Sequence, residues 1–146
     1  ARNEVAPVAE ELDRTKSFPY ELVAKMGELG LMGIPFPEEY GGSGADFLTV
    51  CLAIEELARV DASAAIYVDV HNTLVNNAIL RWANSEQKAR YFPQLTTGLL
   101  GAFALSEPGS GSDAFALATR AERRGQGWAL TGRKFWITTS ALSTSL

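Results

Sequence analysis

Two short runs carry the residue types and spacing that could do chemistry. Gly101-Ala-Phe-Ala-Leu105 is apolar and strand-like, and it breaks into Ser106-Glu-Pro-Gly-Ser-Gly-Ser-Asp113. The second half offers backbone N–H groups, small hydroxyls and flexible glycines with little bulk, so it can hold an anionic or electron-rich ligand without a cationic side chain. Downstream lies Lys134-Phe-Trp-Ile-Thr138, an aromatic run ending in hydroxyls. If it is a strand, Trp136 and Thr138 share one face and Ile137 turns to the core. A polar cradle beside an aromatic wall suits a planar heteroaromatic cofactor with a phosphate tail. On composition alone the same residues make a surface turn and an ordinary strand, because Gly, Ser, Pro and Asp dominate turns for conformational reasons. The loop has neither GxxxxGK[ST] nor GxGxxG between a strand and a helix, so it is neither a P-loop nor a dinucleotide fingerprint.

Other candidates are weaker. His71, the only histidine, sits beside Asn72 on an apolar helical run and reads as a hydrogen-bonded structural residue. No Cys/His/carboxylate cluster has metal-site spacing. Glu55 and Glu56 are adjacent and read as a solvated helix face pointing to different sides. Gly-x-Ser-x-Gly does not occur.

The elements that must position the two runs differ along the chain. Up to about Leu100 the pattern is helical. A first helix is expected over Glu4 to Arg14, with Pro7 in its first turn. A second has Pro19 in its first turn, Ser17 as cap, and Leu22, Val23, Met26 and Leu29 at helical spacing up to Gly30. Prolines and glycines make 35–44 a loop. Asp46 caps a helix whose apolar face is Phe47, Val50, Cys51, Ile54, Leu57 and Ala58. Asp61 caps a buried helix running toward Trp82. Asn84 with Gln87 opens a short helix that ends before Pro93. After Gly98 the period changes, and strands are expected at Gly101 to Leu105, within Leu117 to Arg123, at Trp128 to Leu130 and at Phe135 to Ile137. The fold class is therefore α+β: an all-α domain over 1–100, then the first strands of an antiparallel barrel or sandwich over 101–146.

The 146 residues are 47% hydrophobic and 10% aromatic, enough to build a core, with a formal net charge of −4. Basic residues do not form a stripe, so nucleic-acid binding has no support. No apolar run reaches the length of a membrane span. The lone Cys51 excludes a disulfide within the chain and points to a reducing compartment. The absence of an initiator Met and the stop just after a strand-like run read as a segment of a longer protein.

Taken together, these runs resemble the acyl-CoA dehydrogenase family. Phe103-Ala-Leu-Ser-Glu-Pro-Gly-Ser-Gly-Ser-Asp113 is similar to the family signature aromatic-x-x-Thr-Glu-Pro-x-x-Gly-Ser-Asp, and Trp136-Ile-Thr138 to its Trp-Ile-Thr strand. Leu29-Gly-Leu-Met-Gly33, Pro37-Glu-Glu-Tyr-Gly-Gly42, Glu55-Glu-Leu-Ala58, Glu86-Gln-Lys88 and Leu130-Thr-Gly-Arg-Lys134 match in order, and the likeness covers nearly the whole chain. The runs Ala58 to Ser63 and His71 to Leu74 look most like short/branched-chain members.

The resemblance implies FAD and an acyl-CoA thioester oxidised to trans-2-enoyl-CoA. A glutamate takes the α-proton, and the β-hydrogen leaves as hydride to flavin N5. It implies electron-transfer flavoprotein as electron acceptor and a homotetramer. By the same resemblance Phe103, Ala104, Leu105 and Ser106 contact FAD, with Leu105 and Ser106 at the pyrimidine edge of the ring. Gly111 and Ser112 of the same loop also contact FAD, and Ser112 and Ser106 also meet the acyl-CoA. Trp136 stands against the isoalloxazine, Ile137 belongs to the same cofactor-binding run, and Thr138 reaches toward N5. The helix around Tyr67 to Asn77 forms part of the acyl pocket floor. The sequence departs from the pattern at Ser106 (usually Thr), Phe103 (often Tyr) and Thr139 (commonly Asn). The family's catalytic glutamate belongs to a C-terminal helical domain that this sequence does not include, so no catalytic residue is expected here and the segment alone is expected to be inactive. A related oxidase passing electrons to oxygen, and a non-catalytic helical module, are the alternatives. The compartment implied is bacterial cytoplasm or mitochondrial matrix.

Overall fold

The structure is a computed structural model, and it describes residues 1–140. The helical expectation holds through the first hundred residues. The elements are α1 (Ala6–Thr15), α2 (Tyr20–Glu28), α3 (Phe47–Ala58), α4 (Ala62–Val70), α5 (Asn77–Trp82) and α6 (Ser85–Leu95). Short 3₁₀ turns at Leu31–Gly33 and Glu38–Tyr40 occupy the loop between α2 and α3. None of these helices is long and apolar enough to cross a membrane.

The helix starts follow local chemistry. Asp46 accepts from the Thr49 amide, Asp61 from the Ser63 and Ala64 amides, and Asn84 forms a reciprocal capping box with Gln87. Each satisfies N–H groups that the first turn leaves unpaired. Three expectations shift. The first helix begins at Ala6 rather than Glu4, and Pro19, not Ser17, occupies the cap of α2, with no side-chain bond. In α6 the helix runs through Pro93 to Leu95. Proline removes one ladder bond, at about 3 kcal/mol. Here the residues around it are Phe92 and Leu95, both fully buried, and the Thr96 and Thr97 hydroxyls donate to the carbonyls of Phe92 and Pro93 at 2.9 and 2.8 Å.

α4 and α5 are one continuous helix joined by a π-helical turn, His71–Asn76. The core lies beside it: Leu22, Val23, Met26, Met32, Ile34, Val50, Leu57, Ala64, Ala65 and Val68 form one buried cluster with Val5 and Leu100. Phe92 closes a second patch, with the Phe36 and Tyr40 rings at 5.4 and 5.0 Å. On α3 only Val50 and Leu57 of the expected apolar face are buried, and Phe47 and Cys51 are exposed. Glu55 and Glu56 are solvated, and both reach Arg59 one turn on.

The remainder is less regular. One antiparallel hairpin forms, β1 (Arg120–Arg124) with β2 (Gly127–Thr131), in the register Arg120↔Thr131 through Arg124↔Gly127. The strands expected at Gly101 to Leu105 and at Phe135 to Ile137 do not form. A strand needs a ladder partner, and among the described residues only β1 and β2 supply one another with a continuous ladder.

Candidate functional site

The π-helical turn is where helix and loop meet. A π turn widens the helix by one residue and re-aims the side chains around it. Here His71, Asn72, Val75 and Asn76 are buried. Asn72 accepts from the Ile34 amide at 3.0 Å and donates to the carbonyls of Leu31 and Val68, both at 2.8 Å. Asn76 donates to the Met32 carbonyl at 2.8 Å. Both side chains thus clamp the 31–34 segment onto the helix. His71 Nε2 lies 2.7 Å from the Leu95 carbonyl, which can only accept, so Nε2 carries the proton. Burial holds this imidazole below its ordinary pKa, and the Leu95 contact offsets that only in part. His71 is a structural strut between two helices, as its setting in the sequence implies.

Gly101 brings the first motif against this turn. A Cβ at Gly101 would sit 2.3 Å from Cγ1 of Val75, a separation no side chain tolerates. The Thr139 hydroxyl donates to the Gly101 carbonyl at 2.8 Å, and the Phe135 amide donates to the Ser106 carbonyl at 2.9 Å. The two motifs, far apart in sequence, therefore run side by side.

Between them and the helix lies a cleft of about 200 Å³ lined by Val70, Leu74, Phe103, Leu105, Ser106, Trp136, Ile137 and Thr138. Six of the residues singled out in the sequence meet here, together with two from the helix. Ala104, Gly111 and Ser112 are exposed and do not line it. Trp136 and Thr138 reach the cleft by a different geometry from the one expected. Trp136 adopts φ 58°, the left-handed region that a bulky residue rarely visits. The pleat argument thus fails, and Ile137, expected in the core, is only half-buried and lines the same cleft. The Trp136 side chain is left 93% exposed.

The loop is shaped from within by Glu107, which is buried. Its carboxylate accepts from the amides of Ala118 at 2.6 Å and Thr119 at 3.0 Å, and from Lys134 Nζ at 2.8 Å. Lys134 Nζ also donates to the Leu105 carbonyl at 2.9 Å. The Lys134 ammonium first, and then the donors of Thr119 and Ala118, hold the Glu107 carboxyl down at about 2. Lys134 stands in the sequence only as a motif residue. Its partner is 27 residues away, and no local spacing marks the pair.

A planar, polar-edged ring fits this arrangement. Among the described residues the Ser106 and Thr138 hydroxyls have no hydrogen-bond partner in the protein, so both are available to a ligand, and the walls between them are apolar or aromatic. No described carboxylate lines the cleft.

The comparisons with known proteins agree in extent. The acyl-CoA dehydrogenase N-terminal domain family matches residues 1–99, and the acyl-CoA dehydrogenase middle domain family matches residues 102–146. An acyl-CoA dehydrogenase of Bacillus subtilis is 49% identical over 139 residues, 94% of this chain and 37% of that protein. The mitochondrial short-chain specific acyl-CoA dehydrogenase of Mus musculus is 45% identical over 141 residues, 96% of this chain and 34% of that protein. The structure of butyryl-CoA dehydrogenase from Megasphaera elsdenii superimposes with a TM-score of 0.90 at 36% identity, covering 97% of this chain and 38% of that one. The chain thus spans little more than a third of the length of the relatives it matches. With motifs, helical body and hairpin all matched in order, the chain belongs to the acyl-CoA dehydrogenase family.

Proposed function

We propose that this chain is the N-terminal helical domain (1–100) and the start of the middle β domain (101–146) of an FAD-dependent acyl-CoA dehydrogenase acting on short or branched acyl groups. The observation that carries the reading is the shared cleft: Leu105, Ser106, Trp136 and Thr138 face the same space as Val70 and Leu74 of the helix. When bound, FAD supplies a ring that accepts a hydride and becomes electron-rich.

The protein's own residues have separable tasks in this reading. The Ser106 and Thr138 hydroxyls donate hydrogen bonds to the ring edge, where donors favour accumulating negative charge. Trp136 covers a ring face, excludes water and fixes orientation. Phe103, Leu105 and Ile137 fill the apolar flanks, and Ala104 contributes backbone. Gly111 and Ser112, outside the cleft, serve the exposed part of the cofactor or the acyl-CoA thioester. Val70 and Leu74 set the space left for the acyl chain. The α-proton of a thioester is weakly acidic and needs a well-placed base in a dry site. No carboxylate among the described residues lines the cleft, so the isolated segment is expected to be inactive. The whole protein is a homotetramer passing electrons to electron-transfer flavoprotein, in bacterial cytoplasm or mitochondrial matrix.

The purified full-length protein is expected to be yellow and to bleach anaerobically with a short or branched acyl-CoA. A folded, colourless full-length protein would sink the reading. The 146-residue segment mixed with FAD and the same thioester should give no turnover, and measurable turnover would place a competent base within it.

A further inference from the structure

Among the described residues of 101–140, the buried side chains are Glu107 and Ser110, both polar. Glu107 is not a surface ion-pair partner of the ordinary kind. Its side chain is 4% exposed and Lys134's is 23%, against more than half for both partners of the Lys25–Glu4 pair. Surface pairs contribute little because water screens them and side-chain entropy opposes them. A buried carboxylate with an ammonium and two amides on it is different: its charge is fully compensated and its geometry fixed.

The connections made by this pair bear directly on the cleft. Lys134 Nζ binds both the Glu107 carboxylate and the Leu105 carbonyl. The next amide along, Phe135 N–H, binds the Ser106 carbonyl. Leu105 and Ser106 form one wall of the cleft, and Trp136 follows Phe135 on the other. The other carboxylate contacts tie the loop to Ala118 and Thr119, just before β1. Glu107 N–H and C=O also exchange hydrogen bonds with Ser110, at 2.9 and 3.1 Å, which closes the loop on itself. With little apolar burial here to set the spacing of the two walls, polar contacts must do so.

We infer that Glu107 and Lys134 are positioning residues: a buried ionic latch that sets the separation of the Leu105–Ser106 wall from the Trp136–Thr138 wall, and so preorganises the cleft for its ring. The inference rests on the flavin reading for what enters the cleft, but the latch itself is a property of the protein alone.

The test uses the full-length protein with Glu107→Gln, Lys134→Met, the double variant and Lys134→Arg. Amide exchange at Phe135 in the flavin-stripped protein reads the latch without cofactor. FAD affinity and the visible circular dichroism of bound flavin read its consequence. In each single variant Phe135 should exchange about tenfold faster and FAD should bind about tenfold more weakly, the loss of one charge-assisted hydrogen bond. The flavin dichroism should change, α3 amides should exchange as in wild type, the double variant should be no worse than the poorer single one, and Lys134→Arg should recover most of the affinity. Glu4→Gln, which breaks the exposed pair with Lys25, should move none of these readouts. Phe135 exchange and FAD affinity within twofold of wild type would overturn the latch. A lowered melting temperature with unchanged flavin dichroism would also overturn it, leaving a merely stabilising ion pair. If the Gln and Met variants fail to fold, Glu107→Asp and Lys134→Arg are read by the same criteria, with a graded loss expected for Asp. A wild-type protein that binds no FAD would defeat the flavin reading, while the exchange measurement would still decide the latch.

Discussion

The helical body buries Met32, Phe92 and Leu95 completely, whereas β1 and β2 bury none of their residues. The first region is held by apolar contact along helix faces and the second by directed polar bonds: Glu107 to Lys134, Phe135 to Ser106, Thr139 to Gly101. Apolar packing is strong but non-directional. Hydrogen bonds contribute less net free energy but fix distance and angle. A cleft at the seam can thus take an apolar floor from Val70 and Leu74 and walls whose spacing the polar bonds set.

The contrast breaks most sharply in the body. Phe92→Ala removes a fully buried ring packed against Phe36 and Tyr40 and should lower stability by about 3–5 kcal/mol. Native-state exchange of the slowest helical amides in the full-length protein measures it; a loss below about 1 kcal/mol would show that the site collapses around the void. Next in size is Asn72→Ala. It leaves the Ile34 amide and the Leu31 carbonyl without their partner in a buried setting, an expected loss of about 3 kcal/mol. The variant should also speed exchange at the Ile34 amide more than at α6 amides, and equal acceleration of both would argue against a local clamp.

His71 carries the pH dependence. Its folded pKa lies below the ordinary 6.5 because burial disfavours the imidazolium. Above that ordinary value neither state binds the proton and His71 imposes no pH slope. As pH falls below it, the unfolded chain takes up a proton that the folded chain refuses, so stability drops, by at most about 1.4 kcal/mol per pH unit, until the folded pKa is reached. His71→Gln should weaken the protein at pH 7 through the lost bond to Leu95 yet flatten its decline between pH 7 and 5. An unchanged slope would mean that other groups set it. Glu107 has the same sign over a lower range: its contribution is complete above the ordinary carboxylate value of 4.5 and disappears only as pH falls toward about 2.

The two regions also differ in how legibly they are written. Helices are local, so the spacing of Leu22, Val23 and Met26 and the caps at Asp46, Asp61 and Asn84 carry their own positions. Where tertiary contact overrides local preference, the reading misses: Pro93 stays helical because its neighbours Phe92 and Leu95 are buried. The π turn at His71–Asn76 has no periodic signature short enough to see. Trp136-Ile-Thr138 has strand composition, but Trp136 is left-handed and the preceding Phe135 amide bonds Ser106 across the chain, neither of which an alternation pattern encodes. The cleft residues were legible as types and as a resemblance; their convergence was not, because it depends on Gly101 meeting Val75 and on Glu107 meeting Lys134.

The smallest stability effect is the most informative about the site. Trp136 is 93% exposed, so Trp136→Ala removes almost no buried area and should change stability by less than about 0.5 kcal/mol. Yet among the described residues that line the cleft, the indole is the aromatic surface left most exposed. Among the described residues nothing packs on this ring to offset its unfavourable backbone conformation, which is the reason to test it against the proposed flavin. In the full-length protein, Trp136→Ala should leave slow-exchange stability intact while weakening FAD by more than tenfold and altering the bound-flavin dichroism, since an aromatic contact stripped of its partner forfeits about 1–3 kcal/mol of stacking and burial. The opposite pattern, lost stability with unchanged flavin affinity, would assign Trp136 to packing against parts of the protein beyond residue 140 and return the aromatic wall to the core.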